Sequence, residues 1–121
     1  KIKNIKLPVS APFHCELMGK ATITMRKVLN NQEIKEPKYK IVSNVTATEY
    51  SNTSEIKELL IKQIESPVRW RESVQYMISK GTSIFIEIGP GKVLSGLIKR
   101  INKDVKVLNL DKLEDIQDIK I

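Results

Sequence analysis

Ile84-Phe85-Ile86-Glu87-Ile88-Gly89-Pro90-Gly91-Lys92-Val93-Leu94-Ser95-Gly96-Leu97-Ile98-Lys99-Arg100-Ile101 is the stretch on which the fold turns. Ile84 to Ile88 is a short, β-branched and aromatic run, the pattern of a buried strand. Gly89-Pro90-Gly91 is a tight turn. From Lys92 to Ile101, Val93, Leu94, Leu97, Ile98 and Ile101 recur at helical spacing and are expected to face inward. Val105 to Leu110 then reads as a second strand. Strand, helix and strand in succession make a βαβ unit, so the fold class is α/β with a mostly parallel sheet.

Upstream, Ser66-Pro67 predicts a helix start, with serine as the cap and proline in the first turn. That helix carries Trp70, Val74, Met77 and Ile78 on one face and ends at Lys80-Gly81. Ser54 to Ile64 has Ile56, Leu59, Leu60 and Ile64 on a helical period. Tyr39 to Ser43 reads as a strand, and Thr46 to Asn52 as a polar turn. Cys15 to about Leu29 reads as a helix with Leu17, Ala21, Met25, Val28 and Leu29 on one face. Ile2 to Val9 is extended until Pro8 and Pro12 break it. Leu113, Ile116 and Ile119 suggest a short closing helix. Four strands and five helices are expected in all, a thin sheet for a complete α/β domain. A larger domain extending N-terminally fits that count.

The composition narrows the classes of function. The chain has 121 residues, with 40% hydrophobic and 29% charged, enough for a buried core. Aromatic residues are only 5%, which disfavours single-strand nucleic-acid binding on stacked rings. No apolar run reaches the length of a membrane span, and no signal-peptide core follows the basic start. The one cysteine, Cys15, excludes an internal disulfide and a Cys-rich zinc site. A cytoplasmic setting is the expectation. Twenty-one basic against 14 acidic residues leave +7, which suits an anionic partner or simply a solvated basic surface.

His14, the only histidine, sits in Ser10-Ala11-Pro12-Phe13-His14-Cys15 between an extended segment and a helix. It reads either as a general base, since imidazole titrates near neutrality, or as a capping or surface histidine. A Cys15–His14 nucleophile pair requires spatial contact that adjacency does not supply. Gly89-Pro90-Gly91-Lys92 joins a strand to a helix, where free backbone N–H groups can hold phosphate. Its glycine spacing fits neither nucleotide-binding fingerprint, and a compact turn made by close backbone packing is the simpler reading. Metal-ligand spacing is absent. Met18, Met25 and Met77 read as core filler.

Four segments together resemble one family. Leu7-Pro8-Val9-Ser10-Ala11-Pro12-Phe13-His14-Cys15-Glu16-Leu17-Met18 is similar to the histidine motif of bacterial malonyl-CoA:acyl carrier protein transacylases. Val42-Ser43-Asn44-Val45-Thr46-Ala47 resembles their next strand. Gln63-Ile64-Glu65-Ser66-Pro67-Val68-Arg69-Trp70 resembles a Gln-x-x-x-Pro-Val-x-Trp segment. Ile86-Glu87-Ile88-Gly89-Pro90-Gly91-Lys92-Val93-Leu94 resembles a Glu-x-Gly-Pro-Gly-x-x-Leu stretch. The four occur in the family's order over roughly Leu7 to Leu110.

The resemblance implies a two-step acyl transfer. A serine in a Gly-His-Ser-x-Gly elbow takes malonyl from malonyl-CoA and passes it to the phosphopantetheine thiol of acyl carrier protein. It implies His14 as the base, a group at Gln63 as its orienter, and Phe13 as a side chain crowding branched acyl groups. It implies no cofactor beyond the coenzyme A thioester, and no nucleic-acid or membrane partner. Gly-His-Ser-x-Gly does not occur in this chain, and Arg26, Arg69, Arg71 and Arg100 do not match the family's carboxylate-binding arginine. Residues 1–121 are therefore expected to be the C-terminal segment of an α/β-hydrolase-like acyltransferase large subdomain. The serine and the ferredoxin-like subdomain would lie in the remaining N-terminal part of the enzyme. The chain alone is expected to be inactive. The alternative is a non-catalytic basic α/β module that binds an acidic protein or a nucleotide.

Overall fold

Four large apolar residues among the five from Ile84 to Ile88 form strand β1, and Lys106–Leu110 forms β2. The two pair in parallel, in register from Ile84 opposite Lys106 to Ile88 opposite Leu110. Helix α4, Val93–Ile101, connects them. The βαβ unit is thus the one expected from the sequence, with strand bounds shifted by one residue at most. These elements belong to a computed structural model that describes residues 10–117. The expected extended segment over residues 2–9 and the contribution of Ile119 lie outside the described residues.

The chain divides into two compact units, one ending at Arg69 and the other beginning at Trp70. The second holds α3 (Trp70–Ser79), β1, α4, β2 and a single 3-10 turn at Leu113–Ile116. Val74, Phe85, Ile98 and Val105 are its buried core, with Trp70, Met77, Ile78, Ile101 and Val107 packed around them. α3 stops as Lys80-Gly81 predicts. Gly81 takes φ +94, Gly81 N–H donates to Ile78 O at 2.9 Å, and Thr82 N–H donates to Met77 O at 3.1 Å. This is a glycine-terminated helix end, in which the Met77 and Ile78 carbonyls accept from the residues after the helix.

The first unit holds a 3-10 turn at Glu16–Met18, α1 (Gly19–Asn30) and α2 (Thr53–Lys62). α2 starts at Asn52, whose side chain accepts from Glu55 N–H at 2.9 Å, while the Glu55 carboxylate accepts from Ser51 N–H at 2.6 Å. Ala47, Ile56, Leu59 and Ile61 are buried, as is the polar Ser43.

Several expectations are corrected. Tyr39 to Ser43 is not a strand: a single antiparallel bridge, Val42 opposite Glu49, is all that pairs there. The reason is Ser43, whose hydroxyl accepts from Val45 N–H at 3.1 Å and whose carbonyl accepts from Ala47 N–H at 2.9 Å. These local bonds curl the chain instead of extending it. Of the three strands expected among the described residues, two are therefore found. α3 begins at Trp70 and not at Pro67, because Arg69 N–H donates to Asn44 O at 3.0 Å and holds Pro67 to Arg69 outside the helix. The apolar face of α1 is not buried: Leu17 before it is 79% exposed, and Met25 and Val28 are about half exposed. In α4, Ile98 faces inward as expected, but Val93 and Leu94 are exposed. Among the described residues the closing helix is the 3-10 turn at Leu113–Ile116.

Candidate active site

The site is built on a turn. Phe13 N–H donates to Ala11 O at 2.9 Å, and Met18 N–H donates to Cys15 O at 3.0 Å, opening the 3-10 turn that leads into α1. Between these two bends His14 is held at φ +60. That left-handed conformation is uncommon for a residue with a side chain, although histidine visits it more readily than most. A non-glycine residue held there is a pointer to function.

The exposed His14 ring is anchored through one nitrogen. Nδ1 lies 2.8 Å from the backbone carbonyl oxygen of Gln63. A carbonyl only accepts, so Nδ1 carries the proton. In the neutral ring Nε2 then has the free lone pair, fixed in direction by the bond at the other nitrogen. Gln63 is the C-cap of α2, where helix carbonyls run out of partners within the helix, so its oxygen is available to the imidazole.

Cys15 is not paired with His14. Its Sγ donates to Pro12 O at 3.1 Å, while the imidazole bonds Gln63. The neighbours face different carbonyls, which removes the basis for a nucleophilic pair. Phe13 is 57% exposed and so is not a core residue of this chain. Among the described residues no group of three His, Cys, Asp or Glu side chains is placed to hold a metal ion. No helix among them is long and apolar enough to cross a membrane.

The strand-to-helix junction of the second unit is already filled. The Glu87 carboxylate accepts from Leu94 N–H at 3.0 Å, from Ser95 N–H at 2.8 Å and from the Ser95 hydroxyl at 2.5 Å. The Ser95 hydroxyl and backbone, foremost, hold the Glu87 carboxyl below the usual carboxylate range. Two N–H donors that a phosphate could use, those of Leu94 and Ser95, are therefore taken, which favours the compact-turn reading. Its cause differs from the expected one. A Cβ at Gly89 or Gly91 meets nothing within 4 Å, so crowding is not the constraint. Gly89 at φ +130 and Gly91 at φ +90 occupy backbone conformations that glycine alone adopts without strain.

The structure thus joins His14 to Gln63 across 49 positions of sequence. Sequence reasoning gave no role to Asn44, whose Nδ2 donates to Gln63 Oε1 at 3.4 Å, or to Glu87. Glu87 had a signal, a carboxylate seven and eight residues before exposed helix N–H groups. Asn44 had none apart from its place in a quoted motif.

No family model matches the chain. It is 45% identical over 113 residues to the malonyl CoA-acyl carrier protein transacylase of Bacillus subtilis (strain 168), covering 93% of this chain and 36% of that protein. It is 43% identical over 111 residues to the Staphylococcus aureus (strain MSSA476) protein of the same name, covering 92% and 36%. Among solved structures, malonyl CoA-acyl carrier protein transacylase from Clostridium perfringens superposes with a TM-score of 0.86 at 42% identity, covering 94% of this chain and 36% of that one. The acyl carrier protein S-malonyltransferase from Vibrio cholerae superposes with a TM-score of 0.87 at 39% identity, covering 94% and 37%. The chain therefore spans about 36% of the length of the curated relatives it matches. It is similar to their C-terminal portion, and its fold is that of a partial α/β acyltransferase domain.

Proposed function

We propose that this chain is the C-terminal third of a malonyl CoA-acyl carrier protein transacylase and contributes His14 as the general base of malonyl transfer. The single observation that carries this reading is the 2.8 Å contact between His14 Nδ1 and the Gln63 carbonyl, which leaves Nε2 as an oriented proton acceptor.

Nε2 takes the proton of a serine hydroxyl supplied by the preceding part of the protein. The serine oxygen attacks the malonyl thioester carbonyl. As the tetrahedral species collapses, the imidazolium returns the proton to the departing sulfur, and free coenzyme A leaves. The acyl-serine is then attacked by the phosphopantetheine thiol of acyl carrier protein. His14 removes that thiol's proton and delivers it to the serine oxygen as the ester bond breaks. Each cycle ends with the imidazole neutral and the serine free. Phe13 stands next to the base and crowds a methyl branch on the acyl α-carbon. The net charge of +7 speeds the encounter with two acidic substrates.

The reading as a nucleotide-binding module draws no support from the strand-to-helix junction, where Glu87 occupies the Leu94 and Ser95 N–H groups. Radiolabelled malonyl-CoA and acyl carrier protein given to the complete protein should yield labelled carrier protein, and His14→Asn should abolish it. The 121-residue chain alone should remain unlabelled, because it has no serine elbow. Stable stoichiometric labelling of that chain would place the nucleophile within it and overturn the division of roles.

A further inference from the structure

Of the motifs singled out in the sequence, Val42 to Ala47 has no part in the acyl-transfer chemistry, and Gln63 to Trp70 enters it only through the Gln63 carbonyl. In the fold they are bonded to each other at three points. Asn44 Nδ2 donates to Gln63 Oε1 at 3.4 Å. Arg69 N–H donates to Asn44 O at 3.0 Å. Arg69 Nη1 donates to Thr46 O at 3.2 Å. The loop making these contacts is itself fixed. Buried Ser43 ties down Val45 and Ala47, and Ala47 sits buried at φ +59. A residue with a Cβ keeps that conformation only where its surroundings over-determine it. The loop is thus a rigid clamp on the turn after α2. That turn presents one carbonyl to the imidazole, the Gln63 oxygen.

We propose that Asn44 is a positioning residue for acyl transfer: by holding the Gln63 side chain it fixes the Gln63 carbonyl, and through it the His14 imidazole. The Asn44 side chain bonds Gln63 and reaches the imidazole only through it. It acts as the outer groups around a metal-bound histidine do, setting the direction in which the inner group points. The inference rests on the reading of His14 as the base.

The test is made in the complete protein with Asn44→Ala, Asn44→Asp, Gln63→Leu and the Asn44→Ala/Gln63→Leu double variant, with His14→Asn as reference. Asparagine-to-aspartate removes the donor to Gln63 Oε1 but lets the Gln63 amide turn and donate its Nε2–H to the carboxylate, so a bond is kept at this point. Asn44→Ala and Gln63→Leu should each lower kcat by about 10-fold, the scale on which orienting groups act, while Asn44→Asp should keep most of the rate. KM for malonyl-CoA should stay within about twofold, since only orientation is lost. The double variant should fall no further than Asn44→Ala alone, because both changes break one bond. Nitrogen-15 NMR of the His14 ring, assigned by its loss in His14→Asn, should show the single Nδ1–H form in the unsubstituted protein and exchange with the Nε2–H form in Asn44→Ala. If Asn44→Ala keeps wild-type kcat and the wild-type ring spectrum while His14→Asn is inactive, the positioning role is wrong and the base assignment stands. If His14→Asn is itself active, the base assignment is what fails. An additive loss in the double variant also overturns the proposal, by giving each side chain a separate task.

Discussion

His14→Gly separates what the His14 backbone contributes from what its ring contributes. At φ +60 an ordinary side chain costs about 1–2 kcal/mol relative to glycine, and histidine somewhat less. Glycine removes that strain. Against it stand about 1 kcal/mol for the lost bond to Gln63 O, which water partly replaces because the site is exposed, and about 0.4–1 kcal/mol for the freer unfolded chain. These terms nearly cancel. The melting temperature should therefore move by no more than about 2–4 °C in a protein of ordinary domain size. Turnover should fall by about 100- to 10,000-fold, the range for losing a positioned base, equivalent to about 3–5 kcal/mol of barrier. The assay is transfer of labelled malonyl from coenzyme A to acyl carrier protein, run beside a thermal melt on the same preparation. Free imidazole diffusing into the vacated space should restore part of the rate. His14→Val is the contrast: a β-branched residue at that φ is strained, so stability and activity should fall together. A His14→Gly protein that turns over within tenfold of wild type would refute the base assignment. One that melts far below wild type would refute the account of the turn.

Other perturbations probe separate parts of the account. Gly91→Ala, forced to φ +90 in open space, should cost about 1–2 kcal/mol of stability while leaving KM for malonyl-CoA unchanged; lost substrate binding at full stability would restore a phosphate role to the turn. Glu55, Glu87 and Asp115 are all held below the usual carboxylate range, chiefly by hydrogen bonds from Ser51, from Ser95 and from the backbone at Lys112, respectively. Each binds a proton less readily folded than unfolded. The stability they contribute is complete above the usual carboxylate range and is lost as pH falls through their lowered values. Melting temperature against pH should fall on that acid side, and Glu87→Gln should flatten the fall; an acid limb unaffected by Glu87→Gln would contradict the cap. Phe13→Ser should raise methylmalonyl transfer relative to malonyl by a factor that one methyl group allows, about 10- to 200-fold; an unchanged ratio measured with both thioesters would remove Phe13 from substrate choice.

The βαβ unit was legible because β1 and β2 are apolar runs of strand length with unambiguous turns between them and α4. The end of α3 was legible because Lys80-Gly81 states both the charge and the left-handed residue that a helix end needs. Tyr39 to Ser43 misled because its composition is that of a strand, while the deciding group, the Ser43 hydroxyl, acts on the backbone after the run. Pro67 misled for a related reason. It suits a first helical turn, but the bond from Arg69 N–H to Asn44 O depends on a loop 25 positions earlier. The apolar periodicity of α1 identified the helix correctly and its burial wrongly, since periodicity shows which residues share a face and not what covers it. At the site, His14 was visible as a lone histidine at a helix mouth. Its partner was reached only through the resemblance, because no local pattern points from an imidazole to a backbone oxygen 49 positions away.

The carboxylate of Glu87 behaves as a tethered competitor. Any free anion approaching the first turn of α4 must displace a group bound to the same backbone a few residues upstream. Even a loose tether of that length gives an effective concentration on the order of millimolar or above. The resident group already carries the negative charge that a helix N-terminus favours, so a phosphate gains little there and meets repulsion. The same glycine-bordered geometry that cradles a ligand in one protein is thus made selective against ligands in another by one acidic residue on the preceding strand. Removing that charge is the change that would open the junction to anions, and it alters no glycine of the turn.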